Sequence, residues 1–336
     1  MREGIAVGGT ILVDILKTLS AFPRREELVK IEDMDRSLGG AVSNVAADLA
    51  RLDPTLPLWA VGRIGRDSEG EYIRRTLSQY PRLDLSNLIE EDRTSFTDVL
   101  VDKETKKRTF MAYPGASAHL DVEDFDLDRL TCRILHVGYI LLLDTLDGPD
   151  GEYGTRMARL LHDAQERGIL TSVDVVSEVG DRYRRLVTPS LRFTDYFIVN
   201  ELEAGKTCGT ELRDENGRLI RENIPMALAA LKEMGVKRWA VIHAPEGGWG
   251  LDEENRLIER PSLKLGEGFI QGTVGAGDAF CAGVLLSAYR GCGLAQAIDD
   301  GCAAAACSLR RPGASEGVGT LEEARALAKE LGTRDE

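Results

Sequence analysis

An α/β fold with a doubly wound, mostly parallel sheet flanked by helices is the architecture that this sequence predicts. Short apolar runs bounded by Gly or Pro alternate with helical stretches along the 336 residues. The helical stretches are long enough to return the chain for parallel pairing, and neither an internal repeat nor a Pro/Ser-rich linker divides the chain. We therefore expect a single domain over residues 1–336. The predicted central strands are Ile5–Val7, Leu58–Val61, Ile134–Val137, Leu170–Asp174, Tyr196–Val199 and Trp239–Ile242.

Helices and two irregular segments fill the intervals between these strands. Helical patterns cover residues 151–167, 223–234 and 279–288. The segments at about residues 11–36 and 95–116 do not fit the alternation. Within the second of them, residues 95–113 have the pattern of a β-hairpin with its turn at residues 103–106. The two segments together predict a small β lid.

Polar residues at strand ends predict where a ligand binds. Ligands of doubly wound sheets gather beyond the carboxyl ends of the strands. Gly8–Gly9, Asp174 and Asn200 all fall at such ends. We therefore expect these residues to meet at one edge of the sheet.

Composition and charge narrow the classes of function. Hydrophobic residues make up 43% and charged residues 29% of the chain, which is ordinary for a globular enzyme. The net charge of −14 argues against nucleic acid as a partner. No apolar stretch approaches the roughly 20 residues of a membrane span, and no signal peptide is evident. The six cysteines form no C-x-x-C pair, which predicts reduced thiols and a cytoplasmic location, and the four histidines show no metal-ligand spacing.

Residues 271–280, with the sequence QGTVGAGDAF, predict a centre for phosphoryl transfer. Gly275, Ala276 and Gly277 carry little or no side chain, so a substrate can approach their backbone N–H groups, and the next residues are helix-forming. A helix N-terminus offers free N–H donors and partial positive charge to a transferred phosphoryl group. Asp278 would repel phosphate as a ligand, but it suits a general base that accepts a hydroxyl proton. An N-cap aspartate after a glycine turn is the structural alternative.

A second candidate pair follows the strand that ends at Val199. Asn200 and Glu203 stand three residues apart at the start of a predicted helix, so that their side chains lie on one face. Glu203 could there hold a magnesium-bound water. A helix cap with acidic residues in the first turn is the alternative.

Residues 38–44, with the sequence LGGAVSN, precede a helical pattern over residues 45–52. Together with the Gly-Ala-Gly-Asp run, they resemble the two signatures of the PfkB, or ribokinase-like, carbohydrate kinase family. The resemblance runs over nearly the whole chain and includes an Asn-x-x-Glu element at Asn200 and Glu203.

For the acceptor, the resemblance implies that Gly39, Gly40 and Asn44 contact a sugar. Asp14 stands shortly after the first strand, where the family commonly places an aspartate that binds sugar hydroxyls. A solvated loop aspartate is the alternative for Asp14. Residues 275–278 would supply the anion hole and the base, Asp278.

For the nucleotide, the resemblance implies ATP with Mg²⁺. The residues assigned to this side are Asn200, Glu203, His243, Gly248, Thr273, Ala304 and Cys307, with Glu203 also at the metal. Residues 303–308 look like the helix that lines the adenine pocket in relatives, and an Ala-rich packed helix is the alternative for them.

Two departures from the family pattern affect this side. Gly272 stands where the family's signature usually begins with Asp, so activation by a monovalent cation is doubtful. Pro245 lies in the nucleotide loop and lacks an N–H group, so a phosphate contact through that amide is lost, although His243 could replace a hydroxyl donor.

The expected function is transfer of the γ-phosphoryl group of Mg·ATP to a primary hydroxyl of a small sugar, which is ribose-, fructose- or ketodeoxygluconate-like. A nucleoside kinase of the same fold and a non-catalytic sugar-binding sensor are the alternatives. In the family such lid strands cover the sugar and often pair with a second subunit, so we expect a homodimer through the lid.

Overall fold

The computed structural model describes residues 2–105, 107–178 and 180–334. Its strands are β1 (Ile5–Gly9), β2 (Leu12–Leu19), β3 (Ile31–Gly39), β4 (Leu58–Ile64), β5 (Leu83–Asp84), β6 (Leu88–Glu90), β7 (Ser95–Asp102), β8 (Arg108–Tyr113), β9 (Ile134–Ile140), β10 (Pro149–Asp150), β11 (Gly154–Thr155), β12 (Leu170–Val175), β13 (Tyr196–Asn200), β14 (Trp239–Ala244), β15 (Gly247–Leu251) and β16 (Leu257–Pro261). Its α-helices are α1 (Ala41–Leu52), α2 (Ser68–Leu77), α3 (Arg156–Glu166), α4 (Tyr183–Leu191), α5 (Glu201–Cys208), α6 (Ile224–Glu233), α7 (Ala276–Tyr289), α8 (Leu294–Ser308) and α9 (Leu321–Leu331).

The large sheet has the strand order β16-β15-β14-β13-β12-β9-β1-β4-β5, and β6 also pairs with β4. Pairing is parallel from β14 through β12, β9 and β1 to β4 and β5, while β15 and β16 are antiparallel additions. The mostly parallel sheet is therefore confirmed, with all six predicted central strands in it. The chain leaves β1 for β4 on one side and later returns to β9 on the other, which opens a crevice at the carboxyl end of β1.

Helices cover both faces of this sheet. On one face, apolar side chains of α1, α7, α8 and α9 pack against the strands in one core cluster, which includes Val45, Leu285 and Ile298. On the other face, α3, α4 and α6 supply a second cluster, which includes Leu160 and Leu228. Strands buried on both faces explain the continuous apolar runs in the sequence.

The predicted helix boundaries need two corrections. The helix expected over residues 151–167 begins only at Arg156, because the Thr155 hydroxyl caps it by accepting from the Ala158 N–H. The helix expected from residue 279 begins at Ala276, since Gly275 already turns the chain as its N-cap. The helix expected over residues 223–234 corresponds to α6.

A second, four-stranded sheet has the order β3-β2-β7-β8 and is called the lid below. The hairpin predicted over residues 95–113 is confirmed by the antiparallel pairing of β7 with β8. Of its predicted turn at residues 103–106, Lys106 lies outside the described residues. The single-domain organisation with these lid segments stays a prediction.

Within the described residues, no helix is both long and apolar enough to span a membrane.

Asp300 of α8 ties three C-terminal helices together. Its carboxylate is 1% exposed and accepts from Arg325 Nε and Nη2 of α9 at 2.7 and 2.8 Å, and from Ser287 Oγ of α7 at 2.5 Å. We predict that Arg325→Met lowers the free energy of unfolding by about 1–3 kcal/mol, because Asp300 stays buried without its charged partner. Urea denaturation measures this change.

Lys329→Met on the same helix is the matched control, because Lys329 is exposed. We expect this variant to stay within about 0.5 kcal/mol of the parent chain. Equal stabilities of the two variants would show that the Asp300 network does not hold α8 and α9.

Candidate active site

The turn into α7 presents backbone N–H groups at the edge of the large sheet. Gly275, the N-cap of α7, has φ 77°, and a Cβ there would lie 2.5 Å from the Ala314 carbonyl oxygen. Only glycine fits this left-handed position against the neighbouring backbone. The first N–H groups of a helix have no acceptor within it, so those at the start of α7 are free to bind an anion.

Two cavities meet at this turn. One has a volume of about 380 Å³ and the other about 420 Å³, and Asn200, His243 and Gly277 line both of them. The start of α7 therefore separates an apolar cavity from an acidic one. A group transferred between ligands in the two cavities would pass the free N–H groups.

The first cavity, called the nucleotide cavity below, is mostly apolar. Thr273 and Phe280 contribute to its wall. Its remaining apolar lining residues include Leu202, Pro245, Leu263, Leu265, Ile270, Cys302, Ala305, Ala306 and Leu309. His243 packs on Phe280 with ring centroids 4.7 Å apart, and burial lowers the pKa of His243 to about 4, so this imidazole is neutral.

Three residues that the sequence assigned to this side lie outside the described lining of the nucleotide cavity. Ala304 and Cys307 are 0% and 1% exposed and belong to the core, because the cavity meets the adjacent face of α8. Gly248 is also displaced from the cavity, which Gly247 lines instead. A Cβ at Gly248 would lie 2.5 Å from Ile298 Cγ2, so this glycine allows β15 to pack against α8.

The second cavity, called the acceptor cavity below, contains the predicted base. Asp278 is 7% exposed and lines it together with Tyr139, Asp174, Glu203 and the lid residue Phe110. Every charged residue that lines this cavity in the described part of the chain is acidic. The cavity therefore favours hydroxyl donors and disfavours anions.

Two hydrogen-bond donors hold the Asp278 carboxylate. Asn44 Nδ2 donates to Oδ2 at 2.8 Å, and the Tyr139 hydroxyl lies 3.1 and 3.0 Å from Oδ1 and Oδ2. Burial, and then repulsion by Asp174, raise the pKa of Asp278 to about 7, while the Asn44 and Tyr139 hydrogen bonds lower it. A carboxyl with a pKa near neutrality is well matched to general base catalysis.

Tyr139 owes its position to an unusual backbone conformation. Its φ is 67°, and its N–H donates to Asp174 Oδ1 at 2.6 Å. This bond turns the phenol from the end of β9 towards α7. No sequence pattern predicts the role of Tyr139, because a tyrosine in the left-handed region has no local residue signature.

The N-terminal glycines and Asp14 lie together ahead of α1, and none of them is among the described residues that line the acceptor cavity. Gly40 has φ 86° and precedes α1, whose Asn44 reaches Asp278. A Cβ at Gly39 would lie 2.4 Å from Asp14 Oδ2, so only glycine permits this approach. Burial raises the pKa of Asp14 to about 6, and the Thr97 hydroxyl partly offsets the rise.

Asn200 and Glu203 form a reciprocal helix cap and also line the acceptor cavity. Asn200 Oδ1 accepts from the Glu203 N–H at 2.9 Å, and Glu203 Oε2 accepts from the Asn200 N–H at 3.0 Å. The Ser177 hydroxyl donates to Glu203 Oε1 at 2.8 Å. Burial raises the pKa of Glu203 to about 8. A nearby cation would stabilise the ionised form of this carboxyl group. The pair therefore fits a magnesium-bound water, because each carboxylate oxygen keeps a free lone pair.

Gly272 leaves no room for the carboxylate that the family pattern has there. A Cβ at this position would lie 2.8 Å from the Arg311 carbonyl oxygen and 2.9 Å from Pro312 Cα. The carboxylate that would help to hold a monovalent cation is therefore missing at this position.

The strand order and the flanking helices define the class of fold, which is ribokinase-like α/β. The structure matches that of Arabidopsis thaliana ribokinase complexed with ribose and ATP with a TM-score of 0.80, at 19% identity over 98% of this chain and 99% of that chain. It matches the nucleoside kinase of Methanocaldococcus jannaschii, an archaeal member of the ribokinase family, with a TM-score of 0.75, at 18% identity over 98% and 99% of the two chains.

A family model described as pfkB family carbohydrate kinase matches residues 2–321. The chain is 26% identical over 316 residues to the 2-dehydro-3-deoxygluconokinase of Bacillus subtilis, which covers 88% of each chain. It is 24% identical over 310 residues to the ATP-dependent ribose-1-phosphate kinase of Halopiger xanaduensis, covering 91% of this chain and 92% of that one. The chain belongs to the pfkB family of carbohydrate kinases.

Proposed function

We propose that this kinase transfers the γ-phosphoryl group of Mg·ATP to a primary hydroxyl of a small uncharged sugar, with Asp278 as general base. The observation that carries the proposal is the place of Asp278, which lies at the start of α7 on the acceptor side of the free N–H groups. ATP would occupy the nucleotide cavity, and the sugar would occupy the acceptor cavity under the lid.

The reaction is a direct displacement. Asp278 accepts the proton of the sugar hydroxyl while the oxygen of that hydroxyl forms a bond to the γ-phosphorus. The bond from the γ-phosphorus to the β,γ-bridging oxygen breaks at the same time. The N–H groups of residues 275–278 stabilise the charge on the transferred group. Asn44 and Tyr139 orient the base through their hydrogen bonds. Asp14, Gly39 and Gly40 precede α1, which carries Asn44, and would hold the sugar.

Magnesium would be held through water by Glu203, with Asn200 beside it. Bound there, the ion would neutralise phosphate charge. The chain's own contribution is the buried Glu203 carboxylate in the acceptor cavity, next to Asn200, which lines both cavities.

The charge of the acceptor cavity supports ribose- or fructose-like sugars. Asp174, Glu203 and Asp278 line it, and no lysine or arginine does so in the described part of the chain. These carboxyl groups can hydrogen-bond sugar hydroxyls, while no basic side chain of the described lining would pair with a carboxylate or phosphate on the acceptor, which disfavours ketodeoxygluconate-like substrates.

A homodimer through the lid is also proposed. Met34, Met111 and Tyr113 are exposed apolar residues of the lid edges. Met34 pairs with Lys17 and Met111 with Asp98, and these two partners form an ion pair, so both methionines lie on one face. Phe110, on the opposite face, lines the acceptor cavity. An apolar face turned away from the cavity suits a second copy of the lid.

The six cysteines are all free thiols, which supports a reducing compartment such as the cytoplasm.

We predict Mg²⁺-dependent formation of ADP with one uncharged pentose or hexose from a panel that also contains ketodeoxy sugar acids, sugar phosphates and nucleosides. Asp278→Asn should lower kcat by about 10²–10⁴-fold with little change in ATP binding, because the variant loses proton acceptance only. Asp128→Asn, the same change at an exposed carboxylate, is the control. Sugar-induced thermal shifts without any turnover would indicate a sensor instead.

The pH dependence of kcat/KM tests the tyrosine contact. Because the ionised form of Asp278 is active, kcat/KM should fall as pH drops below about 7. Tyr139→Phe removes a donor that lowers the pKa of Asp278, so its acid limb should move to higher pH. Tyr196→Phe, at a tyrosine buried elsewhere, should leave the profile in place. Superimposable acid limbs for Tyr139→Phe and the parent chain would refute this role.

Sedimentation equilibrium tests the lid dimer. We expect the parent chain to be a dimer and Met111→Lys to dissociate, because the substitution places a charge in the proposed apolar interface. Leu257→Lys alters a residue of similar exposure on β16, 45% against 51%, and should remain dimeric. A monomeric parent chain, or a dimer unaffected by Met111→Lys, would place the interface elsewhere or exclude it.

A further inference from the structure

Behind the proposed base lies a buried group of three different ligand types. His136 comes from β9, Asp174 from β12 and Cys281 from α7, and their exposed fractions are 0%, 6% and 2%. One nitrogen, oxygen or sulfur atom of each lies within 4.8 Å of the others. Side chains of three separate elements therefore converge on one point.

The separations of these atoms fit an ion between them. His136 Nε2 lies 3.5 Å from Asp174 Oδ2 and 4.0 Å from Cys281 Sγ. An N–H···O hydrogen bond would be shorter, about 2.9 Å. Around a tetrahedral zinc ion with bonds of about 2.0–2.3 Å, neighbouring ligand atoms are separated by roughly 3.3–3.7 Å. The nitrogen and oxygen atoms already have this separation, and Cys281 Sγ would move closer to them on binding the ion.

The other polar atoms of the group are already occupied. His136 Nδ1 is 3.0 Å from the Ser172 hydroxyl, and Asp174 Oδ1 accepts from the Tyr139 N–H at 2.6 Å. Metal-binding histidines and carboxylates are usually oriented by such outer contacts. Nε2, Oδ2 and Sγ remain directed at the shared point.

A buried carboxyl group without a hydrogen-bond partner is a second, independent sign of an unseen ion or water. Asp48 of α1 is 0% exposed, and neither of its oxygens has a hydrogen-bond partner among the described residues. Asp48, Asp174 and Asp278 all act electrostatically on Cys281. The donors to Asp174 and Asp278 are the neutral groups of Asn44 and Tyr139. An orphaned carboxylate in such surroundings calls for an unseen ion or water.

We infer that His136, Asp174 and Cys281 form a binding site for one transition-metal ion of the zinc class. The mixed nitrogen, oxygen and sulfur ligands select such an ion over Mg²⁺, whose proposed place is at Glu203. Asp174 and Cys281 line the acceptor cavity, so the ion can enter there and keeps a fourth position open towards the acceptor. Cys281 releases its thiol proton to the buffer as the metal–sulfur bond forms.

Titration of the metal-free, full-length protein with Co²⁺, without nucleotide, sugar or Mg²⁺, tests the inference. We expect one equivalent to produce a thiolate-to-cobalt charge-transfer band, and one equivalent of Zn²⁺ to remove it. Cys281→Ser should lose the band. Cys132→Ser, the same change at a cysteine that is 0% exposed in the other core cluster, should keep it.

Absence of the band in the parent chain, or its survival in Cys281→Ser, would overturn the site. X-ray absorption of the zinc-loaded parent chain tests it without any variant. One sulfur at about 2.3 Å with nitrogen and oxygen at about 2.0–2.2 Å supports the assignment, while a shell without sulfur refutes it. Neither experiment requires turnover, so its failure would be distinct from a failure of the proposed kinase reaction.

Discussion

The left-handed turn at Gly275 is the constraint on which the site depends. It starts α7 against the Ala314 carbonyl, where no side chain fits, and thereby points the free N–H groups of the helix between two cavities. One turn of backbone thus fixes both the anion-binding groups and the direction of Asp278. In the parallel sheet, β9, β12 and β13 all end on the same side, so residues at their carboxyl ends lie close to the start of α7.

Burial of acidic groups sets the chemistry of this edge. Asp278, Glu203 and Asp14 each have a pKa raised by desolvation, to about 7, 8 and 6 respectively. Such groups take up a proton or a cation more readily than exposed carboxylates do. The same burial that makes Asp278 a base near neutrality makes Glu203 responsive to a nearby ion. It also raises the pKa of Asp48, whose oxygens have no hydrogen-bond partner in the part of the chain that the structure describes, well above its usual range.

The sequence specified the turn and the strand ends better than it specified side-chain directions. Residues 275–278 could be predicted because glycine, a helix start and a carboxylate have a local chemical meaning. Ala304 and Cys307 could not be placed, because the phase of α8 is decided by how it packs on α7 and the sheet. Gly248 faces away from the cavity that its neighbour Gly247 lines, because successive residues of a strand face opposite sides of the sheet. Tyr139 depends on a positive φ and a bond to Asp174, and both arise only in the folded chain.

A crystal structure with Mg·ADP, aluminium fluoride and the accepted sugar would show whether residues 275–278 bind the transferred group and whether Asp278 activates the acceptor. We expect the planar fluoride to accept hydrogen bonds from the N–H groups at the start of α7. The sugar hydroxyl should lie about 3 Å from the Asp278 carboxylate. A fluoride bound away from this turn, or a reacting hydroxyl held by another carboxylate such as Asp14, would contradict the account.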